Sequence, residues 1–163
     1  MISKKDSKNP FIKTPLKCWD IYIQSVFSNK IPGSIEQDKA TLEYFKDRFK
    51  WDTQWDILEE NYDALVLTDL NKHIIWVNQG FKKMTGYSPH FAIGKKPSFL
   101  QGECTSTLAL KEFKRKLSLD LPFQSKLINY KLDHSTYLCQ IHIFPLKNIS
   151  GNTSHFLALE TEI

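Results

Sequence analysis

The stretch Ala64-Leu65-Val66-Leu67-Thr68-Asp69-Leu70-Asn71-Lys72-His73-Ile74-Ile75-Trp76-Val77-Asn78 decides how the rest of the chain is read. Its first five residues form an uncharged, mostly aliphatic run of strand length, Asp69–Lys72 supplies turn chemistry, and His73–Asn78 is β-branched and aromatic again. The segment predicts an antiparallel hairpin. Residues 79–104 follow, broken by Gly86, Pro89, Gly94, Pro97 and Gly102, so that only short helices fit. Thr105 or Ser106 caps a longer helix reaching about Leu119, with Leu108, Leu110, Phe113 and Leu117 as its apolar positions, and Pro122 closes it. Three strand-like segments come next: Phe123–Tyr130, Thr136–Leu146 and Ser154–Glu160, joined by turns at Lys131–Ser135 and Asn148–Thr153. Two strands, several helices and three more strands imply an α+β fold, a five-stranded antiparallel sheet with helices on one face.

Upstream of the hairpin the apolar period is helical. Residues 1–13 read as a polar, mobile tail. Thr14 offers an N-cap and Pro15 suits the first helical position, after which Leu16, Trp19, Ile23, Val26 and Phe27 make one stripe. Pro32-Gly33 ends that unit. Ser34 and Gln37 have the spacing of a capping box, and Leu42, Phe45 and Phe49 share one face of a second helix. A third, short helix begins near Thr53 with Trp55 and Leu58 inward. The chain thus divides into a tail (1–13), a helical extension (14–60) and a domain (61–163). The extension's amphipathic helices must bury their aromatic faces against the rest of the chain or against a second copy.

Charge and cysteines exclude several functions. Of the net +4, all is contributed by residues 1–50, with ten basic and six acidic groups, and the remainder is nearly neutral. Nucleic-acid domains concentrate positive charge far more strongly, and Lys111, Lys114, Arg115 and Lys116 around Glu112 read as a solvated helix face. Apolar runs such as Ala64–Leu67 are too short to span a bilayer, and no apolar stretch directly follows Lys4, Lys5 and Lys8, so no secretory leader is expected and the cytoplasm, away from membranes, is the expected compartment. Cys18, Cys104 and Cys139 form no C-x-x-C and read as reduced thiols. The histidines are too dispersed for a metal site. No G-x-G exists, and Pro89 stands where a P-loop reading of Gly94-Lys95 needs glycine. Without a nucleophile motif, and with Glu59-Glu60 read as an exposed helix end, the chain is expected not to be an enzyme.

Several local motifs then occur in order. Leu67-Thr68-Asp69 precedes Ile74-Ile75-Trp76-Val77-Asn78; Phe81 precedes Met84-Thr85-Gly86-Tyr87-Ser88; Gly94 precedes Phe99-Leu100-Gln101-Gly102. Leu127-Ile128-Asn129-Tyr130-Lys131 with Asp133 follows, then Ile141-His142-Ile143 with Pro145, and His155-Phe156. Over about residues 62–160 this series resembles the PAS superfamily, and most closely its light-oxygen-voltage (LOV) branch. The resemblance implies the PAS fold, preceded here by N-terminal amphipathic helices.

It also implies a set of cavity positions. Photoactive LOV domains carry a cysteine that forms a light-driven flavin adduct, in a loop written G-R-N-C-R-F-L-Q-G; that position is Pro97, and Cys104 lies seven residues on. Lys96 and Ser98 stand where the family has asparagine and arginine, so the bidentate phosphate clamp of a guanidinium is missing. Cys139 replaces an asparagine and Glu160 the terminal glutamine, whereas Gln101 and Asn129 are retained. Gln101 and Asn129 have two readings, as ligand contacts or as groups satisfying backbone inside the fold. Cys139 reads as a small buried hydrophobe, Lys96 as facing solvent. Glu160 is either an exposed strand end or an inward carboxylate needing a donor such as Lys96.

The resemblance implies a stand-alone sensory or signal-relay protein, acting through ligand- or partner-dependent protein–protein contacts and without cysteinyl-flavin photochemistry. Flavin mononucleotide is the cofactor it would bring, weakly held or absent. Leu127, Ile141 and Phe144 are wall candidates for a small-molecule cavity. Two alternatives stand beside this. One is an interaction or dimerisation module whose core is filled by Phe99, Phe123, Phe144 and Phe156; the other is a flavin photoreceptor or redox sensor using non-adduct chemistry. A homodimer through the N-terminal helices or the sheet face, and a signalling-protein partner, are expected. The last predicted strand ends three residues before Ile163, so output is expected to pass through shape or assembly.

Overall fold

The computed structural model describes residues 35–53 and 55–163. The expected tail and the helix beginning at Thr14 lie outside the described residues. Helix α1 spans Ile35–Phe49 and a 3₁₀ turn Trp55–Glu59. Strands β1 (Ala64–Asp69) and β2 (Ile74–Val77) form the hairpin. Then come α2 (Gln79–Thr85), α3 (Pro89–Ala92), a 3₁₀ turn at Pro97–Leu100, and α4 (Thr107–Leu117). Strands β3 (Phe123–Tyr130), β4 (Thr136–Lys147) and β5 (Thr153–Glu162) complete the sheet. Every pairing is antiparallel and the spatial order is β2-β1-β5-β4-β3, so the last strand closes against the first.

Local chemistry sets the element ends. The Asn78 side chain accepts from Phe81 N and starts α2, while Gly86 at φ 81° closes it with its N–H on Lys82 O. Ser88 and Ser106 cap α3 and α4 in the same way, so of the two cap candidates for the long helix Ser106 is used. Thr105 instead donates to Ile128 O at 2.6 Å and accepts from Gly102 N, tying the loop to β3. Leu108, expected on the apolar side of α4, is 76% exposed: it lies in the first turn, before the helix meets β3.

The sheet is a middle layer. On its inner face Ala64, Val66, Leu127, Cys139, Ile141, Ile143, Phe156 and Ala158 pack against Phe81, Met84, Leu100 and the half-buried side of α4. On its outer face Leu65, Leu67, Trp76, Leu146, Leu157 and Leu159 pack against Leu42 and Phe45 of α1, with Trp51 and Leu58. The domain's own helices therefore keep to one face, as the sequence implies, and the extension takes the other. The aromatic stripe of α1 is buried by its own chain: Phe45 is 1% exposed and its ring lies 6.3 Å from that of Trp76. Phe144 belongs to this outer layer, its ring centroid 4.1 Å from that of His142 and tilted by 40°, because residues of β4 alternate between faces. It is neither cavity wall nor inner filling.

Candidate functional site

Between the inner face of the sheet and the 97–117 segment lies a cavity of about 390 Å³, within the size range of small-molecule sites. Strand alternation builds its floor: Val66 and Thr68 from β1, Phe156, Ala158 and Glu160 from β5, Ile141 and Ile143 from β4, Leu127 and Asn129 from β3. Leu100, Leu110, Phe113 and Leu117 form the roof. The rim is held by Lys96, whose extended backbone (φ −88°, ψ 142°) is what the following Pro97 requires, and by the 3₁₀ turn that Pro97 initiates. Gln101 N donates to Ser98 O at 3.1 Å, which closes that turn and leaves the Gln101 side chain at the cavity.

Five of the six side chains singled out from sequence line this space: Lys96, Ser98, Gln101, Asn129 and Glu160. Pro97 lines it as well. Cys139 does not; it is completely buried in the inner layer, beside Glu160, as a small hydrophobe would be. Lys96 and Ser98 are exposed rim residues, while Asn129 and Glu160 are each 4% exposed. Sequence reasoning missed Lys72 and Tyr137. Lys72 sits in the β1–β2 turn at φ 69°, and its Nζ reaches over the Phe156 ring at 4.4 Å, within cation–π range. Nothing in the sequence around Lys72 signals this, because the contact depends on how the turn folds over β5.

Glu160 dominates the electrostatics. Its backbone pairs with Ile141 on one side and Ala64 on the other, which sends the carboxyl group inward. Oε2 is buried without a hydrogen-bond partner, and no ion pair reaches it from Lys96. Burial pushes its pKa up to about 7, against a smaller lowering from the Cys139 thiol. Burial and the neighbouring Glu160 likewise push up the Cys139 thiol and the Tyr137 hydroxyl, so both stay protonated. The Tyr137 Oη is also buried, and the Asn129 side chain beside it opposes that rise. At the other end burial lowers the Lys72 pKa, with Asp69 opposing and repulsion from Lys96 adding to the effect. The site thus has an apolar middle, an electropositive rim and a carboxylate at depth. Among the described residues no group of three or more His, Cys, Asp and Glu side chains is placed to hold a metal.

Known proteins resemble this chain in sequence and in fold. The chain is 33% identical over 96 residues to a bacterioopsin transcriptional activator of Halobacterium salinarum, covering 59% of this chain and 14% of that protein. It is 29% identical over 90 residues to a blue-light-activated histidine kinase of Brucella canis, covering 55% of this chain and 18% of the kinase. The match therefore spans less than a fifth of either relative. Among solved structures, a light-oxygen-voltage domain from work with a flavin analogue on that domain's mechanism superposes with a TM-score of 0.59 at 28% identity, covering 62% of this chain and 77% of that one. Residues 63–163 match the PAS domain family, and with the β2-β1-β5-β4-β3 sheet and its LOV-like neighbours they establish that this chain belongs to it.

Proposed function

We propose that the chain is a sensory or signal-relay module that takes a small molecule into the inner cavity and signals through protein–protein contacts, without cysteinyl-flavin photochemistry. The single observation that carries this is the open cavity of about 390 Å³ with Asn129 and Glu160 buried at its walls. A filled-core interaction module expects Phe99, Phe123, Phe144 and Phe156 to occupy that volume. Of these only Phe156 lines the cavity, as part of its floor. The relatives' printed activities, blue-light activation and transcriptional activation, belong to much longer proteins and come to this chain only as the reading that its PAS domain serves a comparable regulatory input.

The residues fit the family's flavin poorly. Pro97 offers no thiol, Lys96 and Ser98 offer no guanidinium, and Glu160 places an acceptor-only group, when ionised, in a dry wall. Photochemistry through a sulfur–flavin bond is therefore not part of this proposal. For the contacts that carry the signal, we assign the strip of the outer face that α1 leaves uncovered, where Ile128 and Leu138 pair across β3 and β4 at 37% and 38% exposure. Self-association or a partner protein would use that strip. No helix among the described residues is long and apolar enough to cross a membrane, and the cytoplasm is the compartment proposed.

The test is the absorption spectrum of the purified protein together with mass spectrometry of anything released on denaturation. A non-flavin small molecule in near-stoichiometric amount supports the reading. A yellow protein forming a blue-light adduct overturns the photochemical part. A protein without any bound or bindable small molecule returns the case to the interaction module.

A further inference from the structure

Glu160 and the lysine rim together say something about what the cavity selects. The carboxyl group is 4% exposed, its Oε2 has no donor, and its cavity neighbours Val66, Leu127, Ile141 and Ala158 are apolar. The Asn129 amide, able to give and to accept, lines the same space, and it lies beside the buried hydroxyl of Tyr137, the residue that pairs with Asn129 across β3 and β4. An ionised carboxylate accepts on two coplanar oxygens and is best satisfied by two parallel N–H donors. Left without them in an apolar wall it is strongly unfavourable. A ligand edge made mainly of carbonyl oxygens would set lone pairs against lone pairs. Four residues of β5, about 13 Å of strand, separate Glu160 from Phe156, over which Lys72 Nζ sits at 4.4 Å. Lys72 and Lys96 repel one another there, and among the described residues Lys96 has no ion pair with an acidic side chain.

We infer that the cavity's ligand is an elongated anion whose buried end is a planar heterocycle presenting two adjacent N–H donors to Glu160, with its negative group at Lys72 and Lys96. The 2-amino-4-oxopyrimidine ring of a pterin or a guanine has such an edge. A flavin does not: its pyrimidinedione edge presents carbonyl, N–H and carbonyl in turn. The inference rests on the reading of the cavity as a ligand site, and it deepens that reading by fixing the polarity of the ligand at each end.

Calorimetric titration of the full chain with pterin-6-carboxylate, GMP, guanosine and flavin mononucleotide tests it, on the wild type and on Glu160→Gln. The expected result is binding of pterin-6-carboxylate or GMP to the wild type, weakened at least tenfold in Glu160→Gln, with guanosine at least fivefold weaker than GMP. Glutamine removes one acceptor and adds a donor, so flavin mononucleotide is expected to bind the variant better than the wild type. Lys96→Ala, a rim substitution that leaves the core intact, is a second variant and should reduce the GMP-to-guanosine ratio. If flavin mononucleotide binds the wild type and both donor-edged anions fail, the inference is overturned while the cavity stays a ligand site. If all four fail, the inference is overturned, and if Ala158→Leu, which fills the cavity, also raises thermal stability without other consequence, the ligand reading falls with it.

Discussion

Asn78, at the end of β2, donates from Nδ2 to Asp38 Oδ2 on α1 at 2.9 Å, joining residues 40 apart in sequence. The same Asn78 accepts on Oδ1 from Leu65 N at 2.9 Å and from Phe81 N at 3.1 Å. Asp38 therefore fixes the amide that caps α2 and holds β1, and the Tyr62 hydroxyl donates to it at 3.2 Å. Asp38→Ala leaves two donors without a partner, one of them buried, and is expected to cost about 1–3 kcal/mol in urea unfolding. Asp38→Asn, which keeps an acceptor in place, should cost less. A change below about 0.5 kcal/mol for the alanine variant would show that water replaces the carboxylate freely.

Two groups on β5 titrate in opposite senses. His155, in the outer layer, is held by Ser154 Oγ at 2.9 Å and Trp51 Nε1 at 3.2 Å, and burial lowers its pKa to about 4. The unfolded chain then binds more protons than the folded one between about pH 4 and 6.5, so His155 makes stability rise with pH over that window. Glu160, raised from 4.5 to about 7, does the reverse and makes stability fall between those values. The two contributions oppose each other where the windows overlap. Glu160→Gln should therefore expose a rising profile between about pH 4.5 and 6.5, and should stabilise the protein at pH 8 by on the order of 3 kcal/mol. Denaturant melts of both proteins across pH 4–8 are the measurement. Parallel profiles would mean that Glu160 is solvated in both states.

Removal of residues 1–50 takes away the cover of Leu65, Leu67, Trp76, Leu157 and Leu159. Such an apolar sheet face is expected to drive self-association, seen by light scattering as an increased mass. Phe45→Ala in the full chain is the milder form, and about 3–5 kcal/mol of lost stability is expected because the site is closed on all sides. An unchanged mass after truncation would remove the proposed role of α1 as a lid on the sheet.

Glycine-to-alanine substitutions should rank by contact and not by helix propensity. Gly80 is inside α2, where alanine is ordinarily favourable, but a Cβ there would lie 1.7 Å from Asp63 O. At Gly102 it would meet the Tyr130 ring at 2.6 Å, and that ring is fixed by a 2.8 Å bond from Cys104 N to its hydroxyl. At Gly151 nothing lies within 4 Å, so only the positive φ of 78° opposes alanine. Thermal melts should therefore place Gly80→Ala lowest, Gly102→Ala next and Gly151→Ala nearest the wild type. A stabilised Gly80→Ala would contradict the close approach of α2 to the Asp63 backbone.

The strands were legible because their turns are chemically marked: Asp69–Lys72, Lys131–Ser135 and Asn148–Thr153 bound runs whose composition suits a sheet. The order of the strands in space was not legible, since the pairing of β5 between β1 and β4 is long-range and leaves no local mark. The same holds for the site. Lys96, Ser98, Gln101, Asn129 and Glu160 could be placed by motif, whereas Lys72 arrives by a turn and Phe144 leaves by the alternation of β4. The layer taken by α1 was open between two partners, because an amphipathic stripe states that it must be covered without stating by what.

The middle position of the sheet bears on how substitutions combine. Side chains under α1 and side chains around the cavity never touch, because a continuous layer of backbone stands between them. Paired changes, one on each side, should therefore sum in free energy, as they do for separated sites. The strands that serve both layers, β1, β4 and β5, are the exception, and β5 at the centre of the sheet shows it best. Along Phe156-Leu157-Ala158-Leu159-Glu160 successive residues belong to alternate layers, so a shift of its backbone on one side is a shift of the wall on the other. Non-additivity between Leu157 or Leu159 and the cavity residues would be the thermodynamic trace of that shared strand.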